Sequence, residues 1–205
     1  RQMLKLYMIR HGMTYGNTQG RYIGTTDEPL LPEEAADLKK YDLGRVDRVY
    51  ASPRKRCRET AEILYPGQEI TLVEEFAECD FGEFENKNYQ ELSGNPNYQK
   101  WVDSGGTLEF PGGESRKEFR ERCIAGLNRV VLEAYENQWA EAALIVHGGT
   151  IMSILEAYGF PHQDYYSWHV KNAEGYRVRL DPEAYLRGSR QLIVDGRIVR
   201  GDSHE

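Results

Sequence analysis

Two short, mostly apolar segments of the chain each end in a histidine that is followed by glycine. Residues 4–9 lead into Arg10-His11-Gly12, and residues 142–146 lead into His147-Gly148. A short apolar run bounded by a polar, glycine-containing loop is typical of a buried strand in a parallel sheet. Because ligands of open α/β sheets bind beyond the carboxyl ends of the strands, the two histidines are expected to face one pocket.

The rest of the chain alternates between strand-like and helix-like patterns. Helices are predicted at 54–64 and 150–158, and the short segment between Leu30 and Val46 has room for a helix of about two or three turns. Further strands are predicted at 46–51, 70–73, 176–180 and 192–194. Strands separated by segments of helix length predict a layered α/β fold.

A long helix is predicted to begin after Ser115. Ser115 and Glu118 have the spacing of a capping box, in which each side chain accepts a hydrogen bond from the other residue's backbone N–H. Apolar residues then recur at intervals of three and four, which predicts one buried stripe on a helix of about five or six turns. The stripe comprises Phe119, Cys123, Leu127, Val130, Val131 and Ala134.

Length and composition indicate one globular domain. The 205 residues are 40% hydrophobic and 29% charged, and no Pro/Gly/Ser-rich linker or low-complexity segment divides them. We therefore predict a single domain over residues 1–205. No apolar run approaches the roughly 20 residues that a membrane-spanning helix needs.

The charge balance limits the partners that the chain can attract. A net charge of −7 repels nucleic acid and anionic membranes, so neither is expected as a partner. The first residues lack the length and the small-residue cleavage site of a secretory signal, which predicts a cytoplasmic protein. The sequence leaves the oligomeric state open.

The cysteines and the outlying histidines give no sign of a metal site. Three widely spaced cysteines predict neither a disulfide framework nor a metal-binding pair; they are Cys57, Cys79 and Cys123. His162 and His169 flank an aromatic stretch without metal-ligand spacing and are expected to be structural. His204 is expected to lie in a frayed tail.

Two clusters carry residue types that suit phosphate chemistry. Arg10-His11-Gly12 supplies a cation, a nitrogen nucleophile and a glycine that lets the backbone approach an anion, although such a tripeptide is more often part of an ordinary loop. Residues 52–61 place four basic side chains after a strand. These side chains either form a solvated helix face or surround a bound anion, and their spacing does not tell which arginine points inward.

Six stretches of the sequence together carry a family pattern. They are 6–12, Asn17, 52–61, Glu78 with Phe81-Gly82, 111–115 and 146–149. In their order and intervals, over about residues 4–160, they resemble the histidine phosphatase superfamily and its phosphoglycerate-mutase-like branch. The resemblance implies a three-layer α/β/α sandwich with a mostly parallel central sheet. It also implies a phosphatase that forms a phosphohistidine and needs no metal ion or other cofactor.

The resemblance assigns roles to individual residues. It implies that His11 is the nucleophile, that Glu78 donates a proton to the leaving group, and that the phosphate is bound by Arg10, Arg56 and His147. Contacts to a small phosphomonoester substrate are also implied for three further residues, Asn17, Gly24 and Gly148. Arg54 occupies a position that is usually apolar in the family.

The implied roles require particular protonation states of His11, His147 and Glu78. His11 must be neutral to attack phosphorus, and two nearby guanidinium groups are expected to lower its pKa. His147 is expected to be protonated, so that it adds to the positive charge around the phosphate. Glu78 must be protonated when the substrate binds, but phosphate raises its pKa and arginines lower it, so the direction is left open.

The substrate's organic half is expected to meet a lid-like insertion at about residues 81–113. Its aromatic residues either contact the substrate or pack the lid against the sheet, and both alternatives stay open. These residues are Tyr89, Tyr98, Trp101 and Phe110. Met13 and Phe84-Glu85-Asn86 depart from the usual family text, which predicts altered substrate contacts.

Three functions are compatible with these residues. A phosphomonoester hydrolase is the main prediction. A phosphoglycerate mutase would use the same phosphohistidine but return the phosphoryl group to the bound intermediate, and the family's mutases usually carry longer insertions than this chain does. A binding module without catalysis would need neither the nucleophile nor the proton donor, so the intact set of residues argues against it.

Overall fold

The protein is described by a computed structural model that covers residues 2–204. Its strands are β1 Leu4–Arg10, β2 Arg48–Ala51, β3 Ile70–Leu72, β4 Glu141–Val146, β5 Gly159–Phe160, β6 Gly175–Leu180 and β7 Leu192–Ile198. Its helices are α1 Tyr15–Thr18, α2 Pro32–Leu38, α3 Lys55–Leu64, α4 Pro96–Asp103, α5 Arg116–Asn137, α6 Gly148–Tyr158 and α7 Pro182–Leu186. Short 3₁₀ helices lie at Glu74–Phe76, Gly82–Phe84 and Tyr165–Trp168.

The strands form one seven-stranded sheet in the order β3-β2-β4-β1-β6-β7-β5. Strand β1 pairs in parallel with β4, β4 pairs in parallel with β2, and β2 pairs in parallel with β3. Strand β6 lies antiparallel between β1 and β7. The prediction of a mostly parallel sheet is therefore confirmed.

Both faces of the sheet are buried, because successive side chains of a strand point to opposite faces. On one face Leu6, Met8 and Leu144 belong to a core that includes α5 and α6. On the other face Ile9 and Ile145 belong to a core that includes α2 and α3. The three-layer α/β/α sandwich is thereby confirmed.

Local sequence signals place the helix boundaries. The Ser115 hydroxyl accepts a hydrogen bond from the Glu118 N–H, and the Glu118 carboxylate accepts one from the Ser115 N–H, both at 3.1 Å, as the capping box predicts. The apolar stripe of α5 is buried. The helix stops before Gln138, whose left-handed conformation (φ 56°) ends the repeat. Helix α2 has seven residues, which matches the short crossover predicted after Leu30.

The expectation that His204 lies in a frayed tail is wrong. Its ring stacks on Tyr7 with centroids 3.6 Å apart, and its Nε2 atom lies 2.6 Å from the Tyr65 hydroxyl oxygen. Burial lowers the pKa of His204 to about 4, so the ring is neutral near neutral pH. Among the helices of residues 2–204, none has the length and apolar character of a membrane span.

Candidate active site

A cavity of about 250 Å³ lies beyond the carboxyl ends of β1 and β4. Arg10 and His11 enter it from the end of β1, and Gly148 enters it from the first turn of α6. Glu78, which follows the 3₁₀ helix Glu74–Phe76, and Asn17 on α1 also line the cavity. The parallel pairing of β1 with β4 brings these distant parts of the sequence together.

The ring of His11 is held in one tautomer. Its Nδ1 atom lies 2.7 Å from the Gly12 carbonyl oxygen, and because a carbonyl only accepts, Nδ1 must carry the proton. The Nε2 atom is left with its lone pair. The Gly12 N–H in turn donates to the Thr60 hydroxyl at 2.9 Å, which ties the histidine loop to α3. Burial, Arg56 and Arg10 hold the pKa of His11 well below its ordinary 6.5, so the ring is neutral as expected.

His147 lies directly behind His11. The two ring centroids are 5.3 Å apart, and His147 Nε2 is 2.8 Å from the Ser52 hydroxyl oxygen. His147 is fully buried and does not line the cavity. Burial and the charge of Arg56 lower its pKa well below 6.5. The ring is therefore neutral in the protein without a bound anion, and its protonation when phosphate is bound stays a prediction.

The two arginines of the predicted site differ in position. Arg10 lines the cavity and donates from Nη1 to the Val170 carbonyl at 2.9 Å. Arg56 is the inward-pointing arginine of the basic cluster, completely buried, and lies behind the cavity wall. Its guanidinium donates to three backbone carbonyls, those of Ile23, Gly24 and Thr26.

Glu85 fixes the loop that holds Arg56. The Glu85 carboxylate accepts hydrogen bonds from the backbone N–H groups of Gly24, Thr25 and Thr26, at 3.0 to 3.2 Å. The same short loop is thus held by a carboxylate through its N–H groups and by a guanidinium through its carbonyls. The N–H group of Gly24 donates to Glu85 and its carbonyl accepts from Arg56, and Gly24 does not line the cavity. A Cβ atom there would lie 2.0 Å from the Cys79 carbonyl oxygen, which explains the glycine.

Glu78 has the pKa direction that its predicted role needs. Burial raises the pKa of the carboxyl group, against opposing contributions from the Cys79 N–H and from Arg56 and Arg10. The Cys79 N–H donates to Glu78 Oε1 at 2.8 Å. A Cβ atom on Gly149 would lie 2.7 Å from the same oxygen, so a side chain at position 149 would displace the Glu78 carboxyl group.

Asn17 presents its amide group to the cavity. Its Oδ1 atom accepts from the Thr14 N–H and from Asn172 Nδ2, each at 3.1 Å. Neither acceptor bond uses the Asn17 NH₂ group, which has no partner among residues 2–204. Asn172 also donates to the His11 carbonyl at 3.2 Å, so it joins the two segments that carry His11 and Asn17. No motif in the sequence pointed to Asn172.

Of the aromatic residues predicted for the lid, some line the cavity and others do not. Trp101 and Phe110 line the cavity. Tyr98 stacks on Trp101 with centroids 6.2 Å apart and lies behind it. Tyr89 is 66% exposed and does not line the cavity. Trp101 and Phe110 therefore remain the candidates for substrate contact, which stays a prediction.

Other cavity residues were missed because they come from segments without a motif. They are Arg21, Tyr22, Arg116, Tyr165, Tyr166 and His169. His169 was expected to be structural, whereas it lies at the cavity; His162 is exposed and lies outside it. The aromatic stretch between these two histidines was the only signal that pointed to this wall. Within residues 2–204, no group of three or more His, Cys, Asp or Glu side chains is placed to hold a metal ion.

A neutral imidazole, a guanidinium group and a carboxyl group of raised pKa share one cavity beyond the ends of two parallel strands, and this combination suits phosphoryl transfer. The model of the histidine phosphatase superfamily, branch 1, matches residues 6–186. The chain belongs to this superfamily and is a phosphatase, a hydrolase of phosphomonoesters.

Known proteins similar to this chain share its fold but differ in their reactions. The adenosylcobalamin/alpha-ribazole phosphatase of Salmonella typhimurium is 26% identical over 186 residues, 87% of this chain and 90% of the relative. The structure of an alpha-ribazole phosphatase from Shigella flexneri has a TM-score of 0.81 at 20% identity, over 98% of this chain and all of the other. A phosphoglycerate mutase structure from Thermus thermophilus has a TM-score of 0.66 at 28% identity, over 96% and 99% of the two chains.

Proposed function

We propose that this phosphatase hydrolyses its substrate through a phosphohistidine on His11, with Glu78 as acid and then as base. The observation that carries the proposal is that the neutral His11 ring, with Nε2 unshared, faces the same cavity as a carboxyl group whose pKa is raised. Nε2 attacks phosphorus while Glu78 protonates the departing alkoxide. Glu78 then takes a proton from water, which attacks the phosphohistidine and releases phosphate.

In this proposal five residues stabilise the negative charge of the phosphate. Arg10, the Gly148 N–H and the Asn17 amide contact it directly, and Arg56 and His147 act from behind His11. The Nε–H groups of Arg10 and Arg56 are buried without a partner among residues 2–204. Because an unpaired buried donor is unfavourable and Arg10 lines the cavity, an anion bound there would relieve the Arg10 donor. A bound dianion would also raise the pKa of His147 toward the protonated form.

The pH dependence of kcat/KM follows from the two shifted pKa values. His11 must be deprotonated, and its lowered pKa moves the acid limb below 6.5. Glu78 must be protonated, and its raised pKa moves the alkaline limb above 4.5. After correction for the substrate's own ionisation at about pH 6, we expect a maximum on the acid side of neutrality. A pH–rate profile checks this, and a rate that rises steadily through pH 8 would contradict it.

The cavity walls support a substrate with a larger organic group than glycerate. Tyr22, Phe81, Trp101 and Phe110 line one side of the cavity, and Met152 also contributes to its lining. These rings offer an apolar contact surface that glycerate would leave unused. We therefore propose a small phosphomonoester with a bulky, ring-containing alcohol, and alpha-ribazole 5′-phosphate is the first candidate because relatives of similar sequence carry that name.

A panel of substrates tests this proposal. With excess EDTA present, phosphate release is measured from alpha-ribazole 5′-phosphate, sugar phosphates, nucleotides and phosphoglycerates. We expect hydrolysis that needs no added metal, and a ring-containing substrate ahead of the phosphoglycerates by about two orders of magnitude in kcat/KM. Hydrolysis that requires a divalent cation would refute the metal-independent mechanism.

A phosphoglycerate mutase is the second candidate, since a solved mutase structure is 28% identical to this chain. It would use the same His11 and Glu78. The assay follows 3-phosphoglycerate, and we expect loss of phosphate to exceed conversion to 2-phosphoglycerate. Faster conversion than hydrolysis would favour the mutase.

We also propose that the chain forms a single domain, that its partner is a small molecule and that it is cytoplasmic. The two cores share the central sheet, which supports a single domain with a lid at about residues 81–113. Net charge supports a small-molecule substrate over nucleic acid or an anionic membrane. Cys57, Cys79 and Cys123 are buried free thiols, which fits a cytoplasmic location.

A further inference from the structure

Arg116 is a cation at the cavity that has no ion-pair partner among the described residues. It is the first residue of α5, and its side chain lines the cavity. Within residues 2–204 it forms neither an ion pair nor a side-chain hydrogen bond. Two comparable arginines do have partners, since Arg21 pairs with Glu91 at 3.1 Å and Arg120 pairs with Glu156 at 3.5 Å.

The guanidinium group of Arg116 rests on an aromatic side chain. Its central carbon lies 4.0 Å from the ring centroid of Tyr165 and 5.6 Å from that of Tyr166. The two tyrosine rings meet edge to face, with centroids 5.0 Å apart. A guanidinium group is planar and has two faces that can stack on π systems. Tyr165 covers one face of the Arg116 guanidinium group, and Arg116 also lines the cavity.

Helix stability does not account for a cation at this position. A positive charge in the first turn opposes the helix dipole, since the N-terminus of a helix carries partial positive charge. The neighbouring Lys117 reaches Glu121 at 3.9 Å, one turn along the same helix. Arg116 has no such compensation and instead turns toward the cavity.

The surroundings of Arg116 are suited to a flat ring and not to a second anion. The same cavity is lined by a cluster of aromatic rings, with centroids 5.2 Å apart for Trp101 and Phe110 and 5.0 Å apart for Phe81 and Phe110. A second carboxylate or phosphate would be desolvated against these rings. A planar aromatic group can contact these rings as well as Arg116.

We propose that Arg116 is a specificity-determining residue, whose guanidinium group binds a planar aromatic ring in the leaving group of the substrate. The ring completes a stack in which Arg116 lies between it and Tyr165. This inference rests on the proposed function, because it takes the phosphate to lie at Arg10 and His11. It adds that the π system of the leaving group is recognised, and not only its size or apolar character.

Two esters of equal carbon skeleton test the proposal. Benzyl phosphate carries a flat π system, and cyclohexylmethyl phosphate carries the same number of carbons in a puckered ring without one. We expect the wild type to favour the benzyl ester in kcat/KM, and Arg116→Gln to reduce that preference by about fivefold, within the range of cation–π energies. Lys117→Gln removes a charge from the same turn without touching the cavity, and it should keep the wild-type preference.

The outcomes separate this inference from the proposed function. Equal kcat/KM for both esters in the wild type, or an undiminished preference in folded Arg116→Gln, would overturn the role of Arg116 alone. A third ester, 4-carboxybenzyl phosphate, carries an additional anion. If Arg116→Gln kept the benzyl preference and lost activity only on this ester, Arg116 would bind an anion and its proposed role would also be overturned. Failure of the wild type to hydrolyse any of the three esters would count against the proposed function itself. Circular dichroism establishes that each variant is folded.

Discussion

Replacing His11 by alanine is expected to lower kcat/KM by at least about four orders of magnitude on every phosphomonoester. The proposed reaction has no other nucleophile, because His147 is buried behind His11 and bonded to Ser52. The substitution leaves the core intact, since the His11 ring contacts the cavity and its own loop. The measurement is steady-state phosphate release by wild type and His11→Ala at matched enzyme concentration.

The control for this variant is His162→Ala. His162 is exposed and does not line the cavity, so wild-type activity is expected. If His11→Ala retained more than about a hundredth of the wild-type kcat/KM, water would be attacking phosphorus directly and the covalent route would be excluded.

Glu78→Gln is expected to act differently on good and poor leaving groups. An alkoxide needs a proton as the P–O bond breaks, so kcat/KM for an alkyl phosphate should fall by about three orders of magnitude. A p-nitrophenolate leaves without that proton, and its release should be impaired much less. Because the same variant lacks the base that activates water, p-nitrophenyl phosphate should give a burst of p-nitrophenol followed by slow turnover.

The matched control replaces another carboxylate of the same region. Glu83→Gln removes an exposed carboxyl group that accepts a hydrogen bond from Asn97 and does not line the cavity, so it should show neither effect. An equal loss on alkyl and aryl phosphates in Glu78→Gln would mean that Glu78 positions the substrate and does not transfer a proton to the leaving group.

The parts of the fold that were predictable are those governed by short-range patterns. The runs at 4–9 and 142–146 became adjacent parallel strands, since few arrangements bury such segments on both faces. The capping box at Ser115 fixed the start of α5 to the residue. His204 was misplaced because what orders it is a contact with Tyr7, a residue almost the whole chain away.

The site was predictable only where the sequence carries a motif. Arg10, His11, Glu78 and Gly148 were named from the sequence and line one cavity. Arg116 and Asn172 came from no motif, because their roles depend on tertiary contacts that spacing does not encode. The sequence also did not show which of the predicted site residues line the cavity. Arg56, His147 and Gly24 do not line it.

Protonation states depend on burial, and burial is a property of the folded chain. The sequence predicted that arginines lower the pKa of Glu78, but it did not predict the opposite effect of burial. In the structure burial is the larger effect and raises the pKa of Glu78 despite two arginines. The same effect lowers the pKa of His147 when no anion is bound.

The covalent intermediate is tested most directly by trapping it. Wild type and Glu78→Gln are mixed with p-nitrophenyl phosphate, quenched in alkali within milliseconds, digested and analysed by mass spectrometry, since phosphohistidine survives alkali and is lost in acid. The account predicts one phosphorylated peptide, modified at His11, with higher occupancy in Glu78→Gln than in wild type. Phosphate on another residue, or an unmodified His11 peptide during rapid turnover, would contradict it.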